Sequence, residues 1–349
     1  MSPGWEILRA QVISLGVVLF LSLAVTWVIL YYVRLLDHPN ERSSHTLATP
    51  KCGGVGIVTS FLAGALIAHC WSHEWGLVNG MTTGLCVPLV LVALVSLIDD
   101  VRELPVLLRL VVQVLSAVLF LFLVGGYSIV ARLKLPGLLG MGVGVAACVI
   151  WQVGMANLFN FMDGIDGIAA GEGLIVSFFF AIVQFVKGDH YLAYLALVLS
   201  VGCLGFLAFN FPPAKVFMGD VGSVSIGFIL AGLAILSVER DPDFASAMVM
   251  PLLAANFIFD ASLTLVKRAW KGENLFQAHR SHIYQRFAQS GFSQRTVSMT
   301  NYGMAIVQGM IVLSALNNPP LALVGVLMIQ GLYLGLVCKL EARWRRQQF

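Results

Sequence analysis

Long apolar runs, separated by short polar segments, recur from one end of the chain to the other. Eleven of them approach or reach the length that crosses a bilayer as a helix, at residues 11–33, 53–72, 80–98, 106–125, 139–158, 168–186, 191–209, 223–238, 245–266, 297–316 and 321–338. Connections such as Glu239-Arg-Asp-Pro-Asp243 and Asn317-Asn-Pro-Pro320 are brief and carry helix breakers. The pattern predicts an all-α fold, a polytopic integral membrane bundle of about 11 transmembrane helices. The first run is too long for the apolar core of a secretion signal, and no small-residue cleavage site follows it, so it reads as a retained span. No internal repeat or low-complexity tract divides the chain, and a single transmembrane domain over residues 1–349 is expected.

Composition agrees: 58% of the 349 residues are hydrophobic and 11% charged, too few charges to cover a soluble domain of this size. A net charge of +3 gives no case for a nucleic-acid partner. The six cysteines form no CxxC pair and lie mostly in apolar runs, which argues against a disulfide framework or a zinc site. Where the charges sit is more telling. With the N-terminus outside and the path alternating, 16 of the 21 Lys and Arg residues fall on inner segments and 5 on outer ones. Positive charge stays on the cytoplasmic side, so this predicts a periplasmic N-terminus and a cytoplasmic C-terminus.

The same topology gathers the chemistry on the inner face. Leu97-Ile-Asp-Asp100 ends the third run. Asn157-Leu-Phe-Asn-Phe-Met-Asp-Gly-Ile-Asp-Gly167 follows the fifth, and Asn210-Phe-Pro-Pro-Ala-Lys-Val-Phe-Met-Gly-Asp-Val-Gly-Ser223 the seventh. The last inner loop carries His279-Arg-Ser-His-Ile-Tyr-Gln-Arg286. Carboxylates at a membrane boundary cost free energy unless they are paired, hydrated or metal-bound. Asp99, Asp100, Asp163, Asp166 and Asp220 form an oxygen-rich set suited to Mg²⁺ or Mn²⁺ rather than zinc. Mg²⁺ takes few protein ligands and completes its shell with phosphate oxygens, which predicts a phosphate-bearing substrate. Lys215, Arg280, Arg286 and His279 or His282 supply cations for the same phosphates. Together they point to phosphoryl transfer. Gly140, Gly142 and Gly144 read as helix-packing positions rather than a nucleotide loop, and Asp260 as a buried acid in need of a partner.

At these motifs the sequence closely resembles the polyprenyl-phosphate N-acetylhexosamine-1-phosphate transferases, a superfamily that also holds the phospho-N-acetylmuramoyl-pentapeptide transferases. The likeness extends to the first inner loop, Pro39-Asn-Glu-Arg-Ser-Ser-His45 and Thr49-Pro-Lys-Cys-Gly-Gly54. It implies transfer of a sugar-1-phosphate from a UDP-N-acetylhexosamine to undecaprenyl phosphate with Mg²⁺, releasing UMP, in the bacterial inner membrane, and it allows a homodimer. It further implies that Asp220 ligates the metal, that Asp99 and Asp100 handle the lipid phosphate beside it, and that Asn160, Asp163, Asp166 and Asn210 line the nucleotide pocket. Phe217 would stack on uracil, and His282, with His279, Lys215, Arg280 and Arg286, would contact the diphosphate. Two departures stand out. Tyr284 occupies the place of a second histidine, in a His-x-x-His-x-Tyr-Gln-Arg form that resembles the O-antigen-initiating branch, and Cys52 stands where glycine is common. That branch makes N-acetylglucosamine and 6-deoxy sugars such as N-acetylfucosamine or N-acetylquinovosamine the expected donors, ahead of a peptidyl substrate.

Two rival classes fit less well. A transporter or flippase would place its acids near mid-span, in matched broken helices. The CDP-alcohol phosphatidyltransferases carry an arginine three residues after Asp-Gly, which Asp163-Gly-Ile-Asp166 lacks.

Overall fold

The computed structural model describes residues 3–33, 35–37, 48–70, 80–124, 137–274 and 280–348. It is a helix bundle. α1 spans Pro3–Tyr32, α2 Val55–Cys70, α3 Met81–Arg102, α4 Val106–Val124, α5 Gly137–Met162, α6 Ile168–Val186 and α7 His190–Asn210. α8 spans Asp220–Arg240, α9 Phe244–Leu253, α10 Ala255–Trp270, α11 Ile283–Gln289, α12 Gln294–Ser314 and α13 Pro319–Gln348. The only strand pairing among the described residues is a two-residue ladder, Leu36–Asp37 against Thr49–Pro50.

Every expected apolar run is helical, with two corrections to the span count. Nine described helices are long and apolar enough to cross a membrane, or ten if the bent pair α9–α10 is one span. The second run yields only the 16 residues of α2, about 24 Å of helix against a hydrocarbon core of about 30 Å. The ninth run bends by 74° between α9 and α10. Pro251, inside α9, lacks the N–H that a continuous helix needs. Just past the break the Asn256 side-chain oxygen accepts from the Gln308 amide at 2.6 Å and the Gln330 amide at 2.8 Å, pinning α10 to α12 and α13.

α8 is the axis of the bundle. Its apolar window is wholly buried, and it packs against α2, α3, α5, α6, α7 and α9. A helix that is hydrophobic all round belongs in such a position. Small residues permit the closest approaches. A Cβ on Gly54 would run into the Gly222 backbone at the start of α8, whereas one on Gly142 would meet nothing within 4 Å. Of the three α5 glycines expected at packing positions, Gly140 and Gly144 are buried, but Gly142 faces outward. All six cysteines are free.

The ends of the bundle differ. One closes with Lys187 on Asp241 at 2.6 Å and Arg240 on Asp189. The other gathers the C-termini of α3, α5 and α7 and the N-terminus of α8. Gly54→Ala should cost about 1–3 kcal/mol of stability by forcing two backbones apart, while Gly142→Ala should change it by less than about 0.5 kcal/mol. Thermal unfolding of the two variants in detergent checks this, and equal midpoints would contradict the packing role of Gly54.

Candidate active site

The site begins at the end of α3. Asp100 is buried, and its carboxylate accepts the backbone N–H groups of Asp220 at 2.9 Å and Val221 at 3.0 Å. It caps the first turn of α8 from another helix, satisfying donors that a helix N-terminus leaves open. Gly219 makes this possible: its φ of 73° suits glycine, and a Cβ there would lie 2.6 Å from an Asp100 oxygen.

Asp99 closes the α3–α4 turn. Its Oδ1 accepts from the Leu104 N–H at 2.6 Å, and Glu103 takes a left-handed φ of 44°. This tight reversal returns Arg109, in the first turn of α4, to the acids. Arg109 Nη1 lies 2.6 Å from Asp99 Oδ2 and 3.0 Å from Asp220 Oδ2. Arg109 therefore bridges two of the predicted metal aspartates. Sequence reasoning counted it only as an inner-face charge. Its signal was present in the ten-residue offset from Asp99, but only the turn geometry turns that offset into contact.

The remaining acids arrive on two interlocked loops. Asn210 donates to the Val216 carbonyl at 2.8 Å and accepts from the Gly167 N–H at 3.0 Å, while Asp166 accepts from the Ala214 N–H at 2.9 Å. Both residues clamp loop 163–167 to loop 211–219. Asn160 lies beside the Asp220 carboxylate. Phe217 joins the first loop through its N–H to the Pro50 carbonyl and its carbonyl to the Gly53 N–H. Lys51, from that loop, lies near Asp100. Cys52 is buried beside Asp100 at a φ of 72°, and burial followed by the charge of Asp100 pushes its thiol up to about 12.

The histidine motif sits across the site. His282 is buried, and its Nδ1 lies 3.0 Å from Asp260 Oδ1. Asp260 thus finds its partner in a site residue. Arg286 pairs with Glu341 of α13, with Nε 3.1 Å from the carboxylate. Lys215 and Arg280 are exposed. His279 and the segment 39–45 lie outside the described residues.

The donor set is carboxylate oxygen with little nitrogen, which fits Mg²⁺ or Mn²⁺. Among the described residues no three Asp, Glu, His or Cys side chains form a complete cage. A cation here would draw further ligands from phosphate and water, as Mg²⁺ does.

Comparison with known proteins bears on this arrangement. Residues 82–238 match the family model of glycosyl transferase family 4. A decaprenyl-phosphate N-acetylglucosaminephosphotransferase of Mycobacterium tuberculosis is 30% identical over 295 residues, covering 76% of this chain and 72% of that one. The chain belongs to glycosyl transferase family 4. Other similar members include a probable undecaprenyl-phosphate N-acetylglucosaminyl 1-phosphate transferase of Bacillus subtilis, 27% identical over 85% of this chain and 81% of its own. A phospho-N-acetylmuramoyl-pentapeptide-transferase of Lactiplantibacillus plantarum is 27% identical over 75% of this chain and 83% of its own. The matched family region holds the Asp99–Asp100 pair, Arg109, both interlocked loops and Asp220, whereas the histidine motif lies beyond it.

Asp163 has no ion pair among the described residues. Burial, with the charges of Asp220, Asp100 and Asp166, pushes its carboxyl from the ordinary 3.8 up to about 8. The folded protein holds this proton more tightly than the unfolded chain, so stability falls as pH rises from the ordinary value toward the raised one. In buffer free of divalent cations, Asp163→Asn should flatten the fall in unfolding temperature between about pH 5 and pH 8. An unchanged slope would contradict this placement.

Proposed function

We propose that the chain transfers N-acetylhexosamine-1-phosphate from a UDP-sugar to undecaprenyl phosphate, releasing UMP, at the cytoplasmic face of the bacterial inner membrane. The observation that carries this reading is the joining of Asp99, Asp220 and Arg109 at one end of a lipid-embedded bundle, with two acidic loops locked alongside. A soluble diphosphate donor and a lipid-anchored phosphate can meet only at such a boundary. The inner-face excess of Lys and Arg supports an outside N-terminus and an inside C-terminus.

In the reaction an oxygen of the lipid phosphate attacks the β-phosphorus of the donor. The bond from that phosphorus to the bridging oxygen breaks, and UMP departs with the electron pair. A divalent cation held by Asp220, with Asp99 and Asp100 beside it, would neutralise the diphosphate. The phosphate nucleophile is largely ionised at neutral pH, its second pKa being about 6, so a strong protein base is not required. Asp100 spends both oxygens on the α8 cap and acts by positioning Asp220. Arg109, Lys215 and Arg280 supply positive charge to the phosphates, His282 a hydrogen bond from its ring, and Phe217 a surface for the base. For the prenyl tail, a crevice of about 440 Å³ runs between α9, α10 and α13, lined by Met248, Leu252, Phe259, Leu263 and Leu327 among others.

N-acetylglucosamine and 6-deoxy N-acetylhexosamines are the favoured donors, and initiation of O-antigen or a related envelope polysaccharide the favoured role. The similarity to the Lactiplantibacillus pentapeptide transferase supports a second reading, with a peptidyl donor. Purified protein, undecaprenyl phosphate, Mg²⁺ and a panel of UDP-sugars would separate these by UMP release and formation of lipid-linked sugar. Transfer should occur from one donor class, cease with EDTA, and fall at least about 10³-fold in Asp220→Asn. Substantial turnover in that variant would overturn the assignment of Asp220 to the metal.

A further inference from the structure

The tyrosine in the place of a second histidine has a defined position. Tyr284 is wholly buried, and its hydroxyl donates to the Phe161 carbonyl at 3.4 Å, in the last turn of α5. The same hydroxyl abuts Gly164, next to Asp163. A Cβ on Gly164 would collide with it and would lie 3.2 Å from the ring carbon that bears it. The backbone N–H of Tyr284 donates to Asp260 Oδ2 at 3.0 Å. Asp260 Oδ1 accepts from the Ile283 N–H at 2.9 Å and the Thr264 hydroxyl at 3.2 Å, and meets His282 Nδ1. The His282 and Tyr284 rings stack with centroids 5.7 Å apart. One carboxylate on α10 therefore fixes both the start of α11 and the histidine ring, and one phenol fixes their distance from the acidic loop.

We propose that Asp260 and Tyr284 are positioning residues that hold His282 in register with the Asp163–Asp166 loop. Asp260 commits the Nδ1 side of the imidazole, so service to the phosphates falls to Nε2. Tyr284 is a spacer keyed to the missing side chain of Gly164. It makes no demand on substrate and is not a substitute phosphate ligand. This inference rests on the proposed transferase reading.

The test is a rescue. Gly164→Ala should lower kcat about tenfold or more by pushing Tyr284, and with it His282, away from the acidic loop. Tyr284→Phe removes the colliding oxygen. Alone it should cost less than Gly164→Ala, and combined with it should restore several-fold of the lost kcat. Asp260→Asn keeps one acceptor oxygen and replaces the other with an amide donor, and it should lower kcat while leaving KM for undecaprenyl phosphate little changed. It should also shift the tautomer balance of His282 in ¹⁵N-histidine spectra of the detergent-solubilised protein. Additive losses in the Gly164/Tyr284 double variant, or an unchanged His282 signal in Asp260→Asn, would overturn the proposal. A wild-type protein inactive on every donor would instead count against the transferase reading itself, while the spectra would still judge the Asp260–His282 link.

Discussion

The site depends on the carboxylate of Asp100 closing the N-terminus of α8. α8 is the most enclosed element of the bundle, and its first residue is Asp220. An open helix N-terminus at a lipid boundary would leave several N–H groups unsatisfied. Asp100 meets two of them, and in doing so sets Asp220 beside Asp99 and Arg109. The two carboxylates divide the work: Asp100 turns toward the α8 N-terminus and Asp99 toward Arg109. Adjacent positions on a helix point about 100° apart, so a paired Asp-Asp can serve both tasks.

Around this cap the loops lock by side chain to backbone contacts. Asn210 and Asp166 bind the two acidic loops together, and the first loop is stitched to Phe217 and Met218. Such bonds hold irregular backbone at the end of a bundle where no regular ladder could. They also make several motif residues structural in their immediate contacts: Asn210 ties Gly167 to Val216. The negative charge of the assembly, only partly offset by Arg109 and Lys51, is what a divalent cation would balance.

Much of this was legible in the chain. The apolar runs located every long helix, and the four polar motifs assembled at one end of the bundle as their common side of the topology required. Gly167 and Gly219, beside Asp166 and Asp220, both take left-handed φ values, 77° and 73°, that suit glycine. Contacts made by tertiary geometry could not be read. Arg109 reaches Asp99 only because Glu103, a residue with no marked turn preference, adopts a left-handed conformation. Arg286 pairs with Glu341, 55 residues away, a contact that leaves no local sign in the sequence. The sharp bend after Pro251 had a breaker in plain view, but a proline inside a long apolar run is also compatible with a mild kink.

On the proposed reading, Asp100 builds the cation site by ordering Asp220. Mn²⁺ binding to the purified protein, followed by electron paramagnetic resonance, tests it directly in wild type, Asp220→Asn and Asp100→Ala. Asp100→Ala should lose Mn²⁺ about as fully as Asp220→Asn does, although Asp220 itself is intact. Binding of wild-type strength in Asp100→Ala would show that the cap does not organise the site, and would contradict the account.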